Sequence, residues 1–312
     1  MNPPCAPSLR PDRAQNLRGA AALPTLFLII LLGVTSCRPS HSDRIVVGCK
    51  NFTEQVVLGE ILAQHIENHL KYPVERRFYL TGSYIAHQSL IAGRIDIYPE
   101  YTGTALLAIL KKPQNHASAR EVFAAVQREY AEKFKVAVEP PLGFNNTFAM
   151  VVRGDDARQD GVRTLSQSAP FAPRWRAGVG YEFLERPDGF KGLAAAYNLK
   201  FAEPPRVMDL GLLYRAIREH QVDMIAANST DGLIAALNLV VLEDDRHYFP
   251  PYEAVPLVRQ QTLARFPGLE DNLRSLAGKI SDQEMQRLNY AVDGEHRDVK
   301  DVARDFLKRI GD

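Results

Sequence analysis

The chain has 312 residues, enough for one large domain or two of ordinary size, and at 46% hydrophobic and 24% charged it can bury a full core. Its 38 Lys and Arg against 37 Asp and Glu leave a net charge of +1, which provides no basic excess for gripping nucleic acid. Three cysteines, Cys5, Cys37 and Cys49, exclude a disulfide scaffold and a cysteine-rich zinc site.

Arg10, Arg13 and Arg18 precede an apolar run over residues 26–32. That run is too short for a stable bilayer anchor and suits the hydrophobic region of a signal peptide. It closes on Val34-Thr35-Ser36-Cys37, and small residues ending in a cysteine resemble the lipobox of bacterial lipoproteins. The resemblance implies a signal peptide over 1–36, a lipidated Cys37 and a tether over 37–43. The alternative is an ordinary signal cleaved near Ser36; the polar stretch 38–43 after Cys37 favours the lipobox. Residues 1–36 carry three Arg and one Asp, so the mature chain has a net charge of −1. Cys49, inside the apolar run 45–49, reads as a small buried core residue. No other segment is long and apolar enough to span a membrane. The expected product is extracytoplasmic (periplasm or cell surface), a globular body tied to the membrane through Cys37.

From residue 44 onward, strands and helices alternate. Residues 45–48 read as a buried strand, and Asn51 with Glu54 as a capping pair for the next helix. Leu58, Ile61, Leu62, Ile66 and Leu70 lie on one face of that helix. Val74, Arg76, Phe78 and Leu80 alternate as a strand, Gly82 opens a helix to Ala92, and Ile95 and Ile97 mark a short strand that Pro99 ends. Helices are predicted over 105–110 and 121–134, and a strand over 147–152. A polar stretch over 154–167 follows. The pattern then restarts with a strand over 177–179, just after the single tryptophan, Trp175. Helices follow over 191–197 and 210–220, then a strand over 224–227 and a helix over 230–237. The tail 271–308 is helical, striped by Met285, Leu288, Val292, Val302, Phe306 and Leu307.

Two βα series in succession argue for two α/β lobes and against a barrel. The Pro-rich run 250–256 reads as a return crossover. The expected organisation is lobe 1 over 44–146 plus 253–312, and lobe 2 over 147–252.

The scan for catalytic motifs is nearly empty: there is no phosphate loop, no HExxH, no nucleophile elbow, and the eight His fall at no convincing metal spacing. No cofactor is expected. Aromatic and polar residues at element ends stand out instead. The stretch 96–104 runs from a strand into a helix N-terminus, where open α/β sheets bind ligands. Tyr101 there either offers its ring to a cation or packs over the turn, and Thr104 supplies a hydroxyl. Arg186 follows another strand and either clamps a carboxylate in two-pronged fashion or pairs with Glu185 or Asp188.

At these residues a family resemblance appears. The run 47–55 (V-G-C-K-N-F-T-E-Q) is similar to the opening motif of osmoprotectant-binding lipoproteins, the substrate-binding subunits of ABC importers for glycine betaine, carnitine and choline. The stretches 98–104 (Y-P-E-Y-T-G-T), 186–189 (R-P-D-G), 229–232 (S-T-D-G) and 249–252 (F-P-P-Y) resemble that family's motifs in order, over essentially the whole mature chain. The resemblance implies an α/β, bilobal periplasmic-binding-protein fold of type II-like form, two lobes joined by hinge crossovers and closing over a ligand. It implies that Tyr101 and Tyr252 form walls for a quaternary ammonium, with Thr104 beside the first, Lys50 or Gln55 at the first strand–helix turn, and Arg186 on the ligand carboxylate. Two positions depart from the family: in the segment Asn146-Thr147-Phe148, Phe148 stands where a Tyr is usual, and Asn228 replaces another Tyr.

The expectation is therefore a non-enzymatic, monomeric binding protein for a betaine-like quaternary ammonium or related zwitterion, with glycine betaine, choline, carnitine and ergothioneine as candidates. It would serve a separate ABC permease and ATPase. The alternative from another class is an exported enzyme on the same framework, against which the missing acid/base, nucleophile and metal constellations count.

Overall fold

The computed structural model describes residues 44–113 and 116–312. The expected signal peptide, tether and lipidation at Cys37 lie outside the described residues. Among the described residues ten strands form two five-stranded sheets. The first, in the order β2-β1-β3-β10-β4, contains β1 (Ile45–Lys50), β2 (Val74–Leu80), β3 (Ile97–Tyr101), β4 (Val136–Val138) and β10 (Ala254–Arg259). The second, in the order β7-β6-β8-β5-β9, contains β5 (Phe148–Arg153), β6 (Ala177–Val179), β7 (Arg206–Val207), β8 (Met224–Asn228) and β9 (Leu239–Leu242).

The sheets share one plan. In the first, β1 runs parallel to β2 and β3, while β10 is antiparallel to β3 and β4. In the second, β6 runs parallel to β7 and β8, while β5 is antiparallel to β8 and β9. The antiparallel strands β5 and β10 are the ones that follow the two chain crossings between sheets. Those crossings touch: Asn145 bridges Glu253, and the Asn146 N–H donates to the Tyr252 carbonyl at 3.0 Å.

Each sheet is apolar on both faces because helices cover both, which explains the unbroken hydrophobic runs in β1 and β8. Cys49 is fully buried, and burial pushes its thiol up to about 12, so it is an inert packing residue. The helix α1 (Thr53–Leu70) buries Leu58, Ile61, Leu62 and Ile66 against the first sheet.

Several sequence expectations need correction. Asn51 and Glu54 do not cap α1: Phe52 occupies the cap without a side-chain bond, Asn51 Oδ1 accepts from the Gly82 N–H at 3.3 Å, and Glu54 turns inward. Pro99 does not end a strand but stands inside β3, opposite Pro256. The Pro256 carbonyl accepts from Glu139 of the other neighbour, so this is a pair without mutual hydrogen bonds and neither ring removes one between β3 and β10. The helix expected over 105–110 is a π-helix, Ala105–Ile109, following one helical turn. Of the helix expected over 230–237 only Leu233–Ala236 forms, because Thr230 and Asp231 spend their side chains on other partners. The polar stretch 154–167 holds the helix Gly154–Asp160 and the start of Leu165–Ser168.

One buried histidine is expected to make stability depend on pH. His87 is 2% exposed, packs edge-on against Tyr130 and Phe134 at ring-centroid distances of 5.5 and 4.6 Å, and its Nδ1 has no partner among the described residues. Burial lowers its pKa from 6.5 to about 4. The unfolded chain therefore takes up a proton below pH 6.5 that the folded chain refuses until about pH 4, and stability falls across that window. By pH 5 the loss amounts to about 2 kcal/mol. Urea melts at pH 7 and pH 5 are expected to show His87→Leu losing less stability than the wild type by about that amount; equal losses would refute the assignment.

Candidate ligand-binding site

A cavity of about 460 Å³ opens between the two sheets, at the C-terminal ends of their parallel strands. Its size is that of a small-molecule site. The first sheet supplies Lys50 at the end of β1 and Phe52 just after it, Ser83 and Tyr84 from the start of the helix Gly82–Ile91 after β2, Tyr101 at the end of β3 and Thr104 after it. The second supplies Phe148 from β5, Tyr181, Glu182, Phe183, Glu185 and Arg186 after β6, Asp209 after β7, and Asn228 from β8. Asn146 and Tyr252 come from the two crossings. Eight of the nine side chains expected at a site thus share one cavity. Gln55 does not line it: fully buried behind β1, it accepts the Lys50 N–H through Oε1 at 3.2 Å. Trp175, stacked on Phe171 at 6.0 Å in the core of the second sheet, does not line it either.

The cationic side chains of the cavity are committed to the protein itself. Lys50 is 2% exposed; its ammonium donates to Glu100 at 2.5 Å and Ser83 at 3.1 Å, and stands 4.6 Å from the Tyr101 ring centroid. Lys50 thus stands against the Tyr101 ring, as Arg186 stands against Phe148 and Tyr252. Arg186, also buried, lays its fork on Asp188, with Nε at 2.8 Å and Nη2 at 2.5 Å, and its Nη1 donates to Thr104 at 3.0 Å. Of the two roles open to it from sequence, pairing with Asp188 is the one observed. Its guanidinium carbon lies 5.1 Å from the Phe148 ring and 5.9 Å from the Tyr252 ring, and the Tyr252 hydroxyl donates to Asp188. Burial opposes the charge on Arg186, yet Asp188 holds its pKa above the ordinary arginine value.

Behind the Tyr101 wall is a residue whose role the sequence reading missed. Glu54 is buried, and both its oxygens are doubly served: Oε1 accepts from the Tyr101 hydroxyl at 2.6 Å and Asn146 Nδ2 at 2.7 Å, Oε2 from the Thr230 hydroxyl and from Asn289 Nδ2 at 3.1 Å. Burial pushes its carboxyl up; the four donors pull it down. The signal was present in the run 51–55, where a carboxylate sits at the first helical turn beside the strand end, but that position also suits a helix cap. Nothing in the spacing points to Asn289, 235 residues away.

Asn228 faces Phe148 across the β5–β8 ladder, so the two side chains share a sheet face. Its N–H donates to Asp231 at 3.0 Å and its amide reaches the same carboxylate at 3.4 Å. Burial raises Asp231 to about 6, while the Tyr214 and Asn228 donors act against that shift. Glu182 is half-exposed at the cavity mouth; burial disfavours its charge, but Lys50, Arg186 and Ser83 hold its carboxyl below the usual range.

A model of the substrate-binding domain of ABC-type glycine betaine transport systems matches residues 43–309. The ergothioneine transport permease/ergothioneine binding protein EgtU of Helicobacter pylori (strain G27) is 36% identical over 268 residues, which are 86% of this chain and 48% of that protein; the chain thus spans about half the length of this relative. The carnitine transport binding protein OpuCC of Listeria monocytogenes is 34% identical over 298 residues, 93% of this chain and 96% of that protein. Among solved structures, a glycine betaine/carnitine/choline ABC transporter chain is similar, with a TM-score of 0.71 and 33% identity over 85% of this chain and 98% of that one.

Proposed function

The chain belongs to the family of substrate-binding domains of ABC-type glycine betaine transport systems, and from that premise we propose that it captures a betaine-like quaternary ammonium or related zwitterion in the cavity between its sheets. The two sheets would carry two lobes, 44–146 plus 253–312 and 147–252, that close on the solute and present it to a membrane permease driven by a separate ATPase. The observation that carries the reading is the charge state of an aromatic cavity. Both lining cations, Lys50 and Arg186, are already paired with Glu100 and Asp188. Arg186 also reaches Glu182 at 3.4 Å, and Glu185 and Asp209 still leave the lining acidic among Phe52, Tyr84, Phe148, Tyr181, Phe183 and Tyr252. Ring faces and surplus negative charge suit a cationic head that cannot donate hydrogen bonds. No catalytic step is part of the proposal.

A thermal-shift screen with glycine betaine, choline, carnitine and ergothioneine tests it, since a ligand at 100 times its Kd stabilises by about 2.7 kcal/mol. No shift with any of them would overturn the ligand class. Asn228→Tyr probes the same cavity. A ring beside Phe148 adds a π face, so calorimetry is expected to show tighter binding of the solute by about 1 kcal/mol. Unchanged or weaker binding would mean that position 228 does not face the cationic head.

The body is further proposed to be extracytoplasmic and lipid-anchored through Cys37. Stable attachment then needs more than one acyl chain. Cys37→Ser is expected to abolish fatty-acid labelling and release the protein from the membrane fraction. Membrane association that persists unchanged in this variant would sink the anchor.

A further inference from the structure

At the far end of α1 from the cavity, His65 and His69 stand one turn apart and meet the Asp312 carboxylate. His65 Nδ1 and His69 Nε2 each lie 2.5 Å from the same oxygen, Asp312 Oδ1, and the three ligand atoms are all within 4.8 Å of one another. We propose that these three side chains bind a divalent transition-metal ion, with Zn²⁺ the best match to two imidazoles and one carboxylate.

The neighbours of His65 Nε2 fix one of its hydrogens. His65 Nε2 is 2.9 Å from the Asn272 carbonyl oxygen, which can only accept, so Nε2 carries a hydrogen. Ser275 Oγ, also 2.9 Å from Nε2, lies 2.7 Å from the same carbonyl and donates its own hydrogen there. In a neutral His65 the lone pair is therefore on Nδ1 and faces a carboxylate oxygen at 2.5 Å, with a second imidazole nitrogen converging on that oxygen. That contact closes either with a proton on Nδ1, which makes His65 an imidazolium, or with a cation bridging the three groups, and the second imidazole on the same oxygen favours the bridging cation. A metal ion supplies it, and the Nε2–H to carbonyl bond is the outer contact that fixes the tautomer of a metal-ligating histidine.

Nitrogen and carboxylate donors in this number select zinc-like ions over calcium or magnesium, which take oxygen. Tetrahedral zinc with bonds of about 2.0–2.2 Å separates its ligand atoms by about 3.3 Å, so the carboxylate backs away by about 1 Å on loading. The site has three protein ligands and one open position, with entry past His69, whose side chain is 48% exposed. It lies about 18 Å along the helix from Thr53, so it acts on the anchoring of the C-terminal segment and not on the solute.

Chelator-treated full-length protein titrated with zinc sulfate tests the proposal, read by calorimetry and by thermal shift, with Co²⁺ absorption reporting geometry. One zinc per chain and a raised Tm are expected. His69→Gln, at a half-exposed position that folding tolerates, and Asp312→Asn should each weaken binding by at least tenfold while solute-induced shifts stay unchanged. The competing state is an imidazolium–carboxylate pair. It would be recognised by nitrogen chemical shifts with both His65 nitrogens protonated at pH 8 whether or not zinc is added, and that result overturns the site. Equal zinc affinity in the wild type and both variants overturns it as well.

Discussion

Glu54→Ala is expected to destabilise the protein by about 3–5 kcal/mol in urea denaturation. Four donors converge on this buried carboxylate, and alanine leaves the Tyr101 hydroxyl, Asn146, Thr230 and Asn289 facing a void. A buried donor without a partner costs about 1–3 kcal/mol, and relaxation returns part of the total. The hydroxyls of Tyr101 and Thr230 can rotate to other acceptors and Asn289 Nδ2 keeps the Thr230 carbonyl at 2.9 Å, whereas the Asn146 amide cannot turn away without moving its chain. Glu54→Gln should cost less, because an amide oxygen still serves one pair of donors and the Thr230 hydroxyl can turn to accept from the new amide nitrogen. The ordering Ala worse than Gln is the sharp part. The reverse ordering, or a loss under 1 kcal/mol for alanine, would mean that Glu54 is not the acceptor holding these elements together. Because the donors come from β3, a crossing, the segment after β8 and the helix Asp282–Asp293, the same variants bear on how both sheets meet at the cavity.

Arg186→Ala is expected to cost a further large amount, about 3–5 kcal/mol, by stranding Asp188. The Asp188 side chain is 2% exposed and would keep only the Tyr252 hydroxyl as a donor. The double variant Arg186→Ala with Asp188→Ala removes the stranded charge and should recover part of the loss. A double variant worse than the single one would refute the pairing as its cause. Binding gives a second readout. With the guanidinium fork on Asp188, Arg186 supports the Phe148–Tyr252 wall, and its loss should raise the Kd of glycine betaine and of choline alike, by more than tenfold. A loss confined to glycine betaine would instead restore Arg186 as the partner of a ligand carboxylate.

Much of this molecule was legible from residue order because the relevant physics is local. Ile45 to Cys49 form a doubly covered strand, and the stripe from Leu58 to Ile66 forms one helix face. The ends of β1 and β3 deliver Lys50, Tyr101 and Thr104 to one edge of the first sheet, while Arg186 follows the short helix Tyr181–Glu185 after β6 of the second. Each follows from side-chain period and from the position of ligand-facing loops in α/β sheets. The family signature adds the order of the motifs, and with it the expectation that Tyr252 and Asn228 meet the rest.

What residue order left open was set by partners distant in the chain. Whether Tyr101 offers its ring to a ligand depends on Lys50, and Lys50 is fixed by Glu100, 50 residues away. Pro99 reads as a strand end because its missing N–H is a local fact, whereas its tolerance inside β3 depends on β10 arriving from the far side of the second sheet. Glu54 reads as a cap at short range and becomes the centre of a network only when Thr230 and Asn289 fold onto it. His65 and His69 are two helical positions among many until Asp312 closes on them. The sequence by itself determined six of the ten strands and most of the long helices, since burial period and turn chemistry act over a few residues. The short strands β4, β7 and β9, and β10 beginning inside the run read as a crossover, carry too few residues or too much proline to show a period. Only the tertiary structure decided which charges are already paired. A buried charge is stable where a partner meets it, and that partner can come from any point in the chain.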